Sequence, residues 1–229
     1  MRPVTEVIAH RGASRLAHEN TIAAFEMAAI AGADGVELDV RRTADGVLVV
    51  HHDARVTDGR VIVDTPWREL PPYVPTFGEA LDACGVLWVN IEIKNDERDP
   101  DFDPDDRVAV DVLATLAERG RGRWLLSSFR LATIDRCRRL DPTVPTAWLT
   151  MEFGAATVEI VATRGHTALH PWEVTVTAEE IERSHEAGIL INVWTCNDPL
   201  RAVALAMAGV DGVVTDVPDV VRAALDGAT

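Results

Sequence analysis

The run VTEVIAHRGASRLAHENTIAAFEMAAIAGADGVELDV, residues 4–40, sets the architecture. Val4–His10 and Gly35–Val40 are short, apolar and rich in valine, and between them Thr21–Ala31 places its apolar residues at helical spacing. Asn20 precedes the helical run and Gly32 follows it, which are start and stop signals for a helix. Two strands joined through a helix run parallel, since the helix carries the chain back to the starting edge.

The same unit recurs along the chain. Further strands are predicted at Leu87–Ile93, Trp124–Ser128, Thr146–Thr150, Thr167–His170, Leu190–Thr195 and Gly212–Thr215. Helices are predicted at Phe77–Cys84, Asp105–Arg119, Leu131–Leu140, Ala155–Thr163, Ala178–Ala187, Leu200–Ala208 and Asp219–Leu225. Eight such units in 229 residues point to an α/β protein closed as a (β/α)8 TIM barrel. An open dinucleotide-binding sheet would want G-x-G-x-x-G after its first strand, and residues 10–15, HRGASR, do not supply it.

A ninth strand-like run, Val47–His52, follows the hairpin signal Asp45-Gly46. It is expected to return antiparallel to the end of the second strand and to bring His52 roughly opposite Asp39. A short proline-rich insertion, residues 54–75, comes after His52-Asp53, and no break in composition divides residues 1–229 into more than one domain.

The charge balance, 22 Lys+Arg against 37 Asp+Glu for a net −15, leaves no positive face for nucleic acid. The substrate is therefore expected to be small. Cys84, Cys137 and Cys196 are scattered and odd in number, which reads as ordinary core thiols in a reducing compartment. With no signal-like or membrane-spanning apolar run, a cytoplasmic protein without stable membrane association is expected.

In a barrel of this kind the C-terminal strand ends build the active face. Here they read His10-Arg11, Glu37-x-Asp39, Glu92-x-Lys94, Ser127-Ser128, His170, Trp194 and Thr215-Asp216, with His52-Asp53 on the hairpin return. Glu37 and Asp39 project to one face of their strand, as do Glu92 and Lys94. Three carboxylates at one mouth repel unless a cation lies among them, and an all-oxygen set suits Mg²⁺ or Ca²⁺. The bland alternative is that these acids pair with Arg41, Arg42 and Lys94. Lys94 is the only lysine among the 22 basic residues, a compact charge suited to phosphate oxygens. His10 and His52 are candidate proton-transfer groups. His51 faces the other way; His18, His166 and His185 read as loop or helix-surface residues, and His170 as a rim residue. Three carboxylates set against a dication, Lys94 and Arg11 leave about one positive charge, the complement of a mono-anionic phosphodiester.

These pieces together resemble the glycerophosphodiester phosphodiesterases. The resemblance rests on Ala9-His10-Arg11-Gly12, Glu19-Asn20-Thr21, Glu37-Leu38-Asp39-Val40, Asp45-Gly46 and His52-Asp53 in the first part of the chain. It continues through Pro75-Thr76-Phe77, Asn90-Ile91-Glu92-Ile93-Lys94, Ser127-Ser128-Phe129, Val193-Trp194-Thr195 and residues 212–216, GVVTD. It implies a Mg²⁺ or Ca²⁺ ion on Glu37, Asp39 and Glu92, with His10 and His52 as the acid/base pair. It further implies phosphate contacts from Arg11 and Lys94, supporting roles for Glu19 and Asn20, and Trp194 at the substrate. The implied reaction is hydrolysis of a glycerophosphodiester to sn-glycerol 3-phosphate and an alcohol. The pattern departs at His18, which replaces a usual proline, and in the short insertion beside the mouth. A lysophospholipase D-type enzyme on the same barrel and a non-catalytic phosphate binder are the alternatives. The acidic stretch Asn95–Asp106 fails as a calcium loop, with Pro104 and Val110 at key positions, and is expected to be a solvated loop.

Overall fold

The computed structural model describes residues 5–120 and 122–228, so Val4 at the predicted start of the first strand lies outside the described residues. In chain order the elements are β1 (Glu6–Ala9), α1 (Ile22–Ile30), β2 (Gly35–Arg42), β3 (Leu48–Val50), α2 (Phe77–Cys84), β4 (Trp88–Ile93), α3 (Arg107–Arg119), β5 (Trp124–Ser128) and α4 (Leu131–Leu140). They continue as β6 (Thr146–Thr150), α5 (Ala155–Arg164), β7 (Ala168–Pro171), α6 (Ala178–Glu186), β8 (Leu190–Val193), α7 (Pro199–Ala208), β9 (Gly212–Thr215) and α8 (Pro218–Gly227).

The parallel strands run β1-β9-β8-β7-β6-β5-β4-β2, and β1 pairs β2 to close the ring. This is the expected eight-stranded barrel with its helices outside. Two apolar clusters fill the space between strands and helices, one around Phe25, Leu38, Ile91 and Val112, the other around Ile181, Ile191, Leu205 and Val221. A third lies inside the barrel, where Ile8, Trp88, Leu125, Ala147, Ala168 and Val214 form a floor. Gly35 makes room for that floor: a Cβ there would sit 2.4 Å from the Trp88 indole. Cys84, Cys137 and Cys196 are free and buried, as the core-thiol reading expects.

β3 pairs antiparallel to β2 through the predicted hairpin and brings His52 to within one residue of Asp39, as expected. Val40 faces Val50, and the His51 amide donates to the Asp39 carbonyl at 3.0 Å. His51 therefore lies across from Asp39 and His52 just beyond the paired strand. The insertion folds over β3 as a satellite core of Val49, Val56, Ile62, Leu70 and Val74. The stretch Asn95–Asp106 is more than a solvated loop, because the aspartates 99 and 101 bind the buried Arg41 (below) and Asp106 is itself buried.

At the end of β1 the backbone turns sharply, with Arg11 at φ 56° and Gly12 at φ 80°. A Cβ on Gly12 would fall 2.6 Å from the Ala24 backbone of α1. Only glycine meets both demands. Gly12→Ala is expected to cost on the order of 2–4 kcal/mol, combining left-handed strain with overpacking. Denaturant unfolding measures it, and a loss under about 0.5 kcal/mol would contradict the account.

Candidate active site

Glu37 and Asp39 come from β2 and Glu92 from β4, where Asp39 and Glu92 are register partners. One oxygen from each acid lies within 4.8 Å of the others, and all three residues are buried. Arg11 turns its backbone N–H to Glu37 Oε2 at 2.9 Å and its side chain to Asp39 (3.4 Å) and Glu19 (2.8 Å). Asn20 Nδ2 donates to Asp39 Oδ2 at 2.7 Å. Lys94 Nζ donates to Glu92 Oε1 at 2.7 Å and lies 3.5 Å from Asp39. Of the pairing alternative, only Lys94 engages the triad, since Arg41 binds Asp99 and Asp101 and Arg42 binds Asp111.

The two cations do not satisfy three buried acids. Glu37 Oε1 and Asp39 Oδ1 are buried without a hydrogen-bond partner, which is costly in a protein interior. Burial, reinforced by the Asp39 charge, pushes Glu37 up to about 8. Burial would raise Asp39 as well, but Lys94, His52 and Arg11 together hold it well below the usual carboxylate range. Hard oxygen donors converging with free lone pairs fit a divalent cation. Burial alone would lower the Lys94 pKa, yet Glu92 and Asp39 more than offset it and hold the ammonium charged.

Both predicted histidines lie near enough to feel the cluster's charge, His10 that of Glu37 and His52 that of Asp39, and each is oriented by a carboxylate of its own. His10 Nδ1 donates to Asp216 Oδ1 at 2.6 Å, and Asp216 is fixed in turn by Ser14 and Asn197. His52 Nδ1 donates to Asp53 Oδ1 at 2.7 Å. Each bond fixes a ring and leaves its Nε2 for a substrate. Burial would lower His10, but the Asp216 hydrogen bond and the Glu37 charge outweigh it and raise the imidazole above its ordinary value. His52 is lowered, by burial first; the Asp39 carboxylate pulls the other way, and Lys94 and Arg11 add to the lowering. Asp216→Asn is expected to drop the His10 pKa, moving the His10 limb of the pH–rate profile to lower pH. An unmoved profile would contradict the pairing.

Arg41, at 2 % exposure, ties the hairpin to the barrel. Its guanidinium donates twice to the His52 carbonyl, at 2.9 and 2.6 Å, and also to Asp101 (2.6 Å) and Asp99 (2.9 Å).

The sequence profile of the Glycerophosphoryl diester phosphodiesterase family matches residues 10–220. The chain belongs to that family. It is 31% identical over 237 residues to a glycerophosphodiester phosphodiesterase of Caldanaerobacter subterraneus subsp. tengcongensis, covering 94% of this chain and 95% of that one. Among solved structures it is similar to a phosphodiesterase of Oleispira antarctica in complex with the product sn-glycerol-3-phosphate, at TM-score 0.89, 26% identity and 97% coverage of each chain. It is also similar to the glycerophosphodiester phosphodiesterase of Thermotoga maritima, at TM-score 0.79 and 30% identity, covering 96% of this chain and 97% of that one.

Set against the family's motifs, the remaining predicted residues divide. Glu19 and Asn20 touch Arg11 and Asp39. The Trp194 indole N–H is taken by the His170 carbonyl at 2.7 Å, so its ring, edge-on to Phe129 at 5.2 Å, is what it can offer a ligand. His170 is no rim residue. It is buried beside Asn192, and burial pushes it down to about 3. His166 is likewise buried, between Thr146 and Asp135, where a surface position was expected. Among the described residues no helix is long and apolar enough to cross a membrane.

Proposed function

We propose that this member of the family hydrolyses glycerophosphodiesters to sn-glycerol 3-phosphate and an alcohol, with His10 and His52 exchanging protons at one phosphorus. The observation that carries the reading is that two carboxylate-oriented imidazoles, His10 and His52, are electrostatically coupled to members of one buried, under-satisfied acidic triad. Glu37, Asp39 and Glu92 would hold Mg²⁺ or Ca²⁺, which when bound draws charge from the phosphoryl oxygens. Arg11 and Lys94 supply fixed positive charge to the phosphate, and Glu19 and Asn20 hold Arg11 and Asp39 in place. The Trp194 ring borders the substrate.

One imidazole Nε2 takes the proton of the attacking hydroxyl as the new P–O bond forms. The other gives a proton to the departing alcohol oxygen as the old P–O bond breaks. A single barrel domain over residues 1–229, working in the cytoplasm on a small substrate, completes the proposal. The test is enzymatic release of glycerol 3-phosphate from a panel of glycerophosphodiesters, after EDTA treatment and again with Mg²⁺ or Ca²⁺ restored. Turnover that returns with the ion supports the reading; no turnover of any diester overturns it.

A further inference from the structure

A cleft of about 780 Å³ opens from the site beside His52, Glu92 and Lys94, far more room than a three-carbon glycerol arm requires. Its lining carries five Lys and Arg against four acids, the reverse of a chain in which acids outnumber bases 37 to 22. Most of those cations are already engaged. Arg41 binds Asp99 and Asp101, Lys94 binds Glu92, Arg98 binds Asp96 at 2.6 Å, and Arg130 binds Asp106 at 3.3 Å.

Arg55 is the exception. Among the described residues lining the cleft it is the one cation without a carboxylate contact, its guanidinium donating only to the Gly59 carbonyl at 3.1 Å. Its backbone is held where it leaves the hairpin, through the bridge between Arg55 and Val61. Two residues earlier, Asp53 spends one oxygen on His52 and leaves the other exposed in the same cleft. A guanidinium with open donors recognises a carboxylate in a forked, two-bond geometry. An exposed carboxylate oxygen on the same lining, that of Asp53, can receive an ammonium.

We infer that the cleft takes the alcohol arm of the diester and that Arg55 selects alcohols bearing a carboxylate, the amino-acid alcohol serine being the chemistry that engages Arg55 and Asp53 together. This rests on the proposed diesterase activity.

The experiment compares sn-glycero-3-phosphoserine with sn-glycero-3-phosphoethanolamine, which differ only in the carboxylate, and includes glycerophosphocholine. The intact, ion-supplied enzyme should show kcat/KM about tenfold higher for the serine diester. Arg55→Gln should remove that preference while leaving the ethanolamine diester within about twofold, and Arg55→Lys should retain part of it. Equal turnover of serine and ethanolamine diesters, a preference for choline, or an equal loss on both substrates in Arg55→Gln overturns the inference alone. No turnover of any diester overturns the functional reading, and this one with it.

Discussion

Replacing His52 with alanine is expected to lower kcat by about 10²–10⁴-fold, the usual worth of one positioned proton transfer. KM and ion affinity should change little, because His52 is no part of the triad and its side chain is one-third exposed. His10→Ala should fall in the same range. The double variant should lose much less than the product of the two, since two groups serving one displacement act as a unit. Steady-state kinetics at saturating ion makes the measurement. A loss below about threefold for either single variant would remove that histidine from the chemistry.

The second large effect concerns the triad. Asp39→Asn or Glu92→Gln should cost at least about 10³-fold in kcat/KM, because electrophilic stabilisation of a phosphoryl group is worth several kcal/mol and each 1.4 kcal/mol is tenfold. Glu37 adds a pH signature. With its pKa near 8 in the ion-free protein, an incoming cation must displace a proton, so apparent ion affinity should climb with pH up to about 8 and level off above it. Stability carries the matching sign. The folded, ion-free protein binds that proton more tightly than the unfolded chain, so its stability should fall as pH rises from about 4.5 towards 8. Glu37→Gln should flatten this slope. Calorimetry in two buffers of different ionisation enthalpy counts the released proton, and ion binding with no proton release below pH 8 would refute the mechanism.

The barrel was legible because eight strand–helix alternations leave few other topologies, and the triad because alternate residues of a strand share a face. The carboxylates that orient the histidines were harder to see. Asp216 stood at the end of the last strand with no partner nearby in sequence. Ring closure supplies it, because Ala9 pairs with Thr215 and the next residues along, His10 and Asp216, then meet. The dipeptide Asp45-Gly46 announces the hairpin without setting its exact register, which the pairing of Val40 with Val50 supplies. His166 and His170 were misplaced for one reason: their partners Thr146, Asp135 and Asn192 arrive from other elements, so nothing local marks them as buried.

Arg41 has a consequence for how the enzyme could be lost. His52 follows a three-residue strand at the margin of the barrel, and its carbonyl is held by a guanidinium whose own anchors, Asp99 and Asp101, stand on a different loop. A protease nick between those two aspartates would leave every rung of the eight-stranded ring in place. The barrel would stay closed, while the guanidinium that holds the His52 carbonyl lost the continuity of the loop that carries its two carboxylate partners.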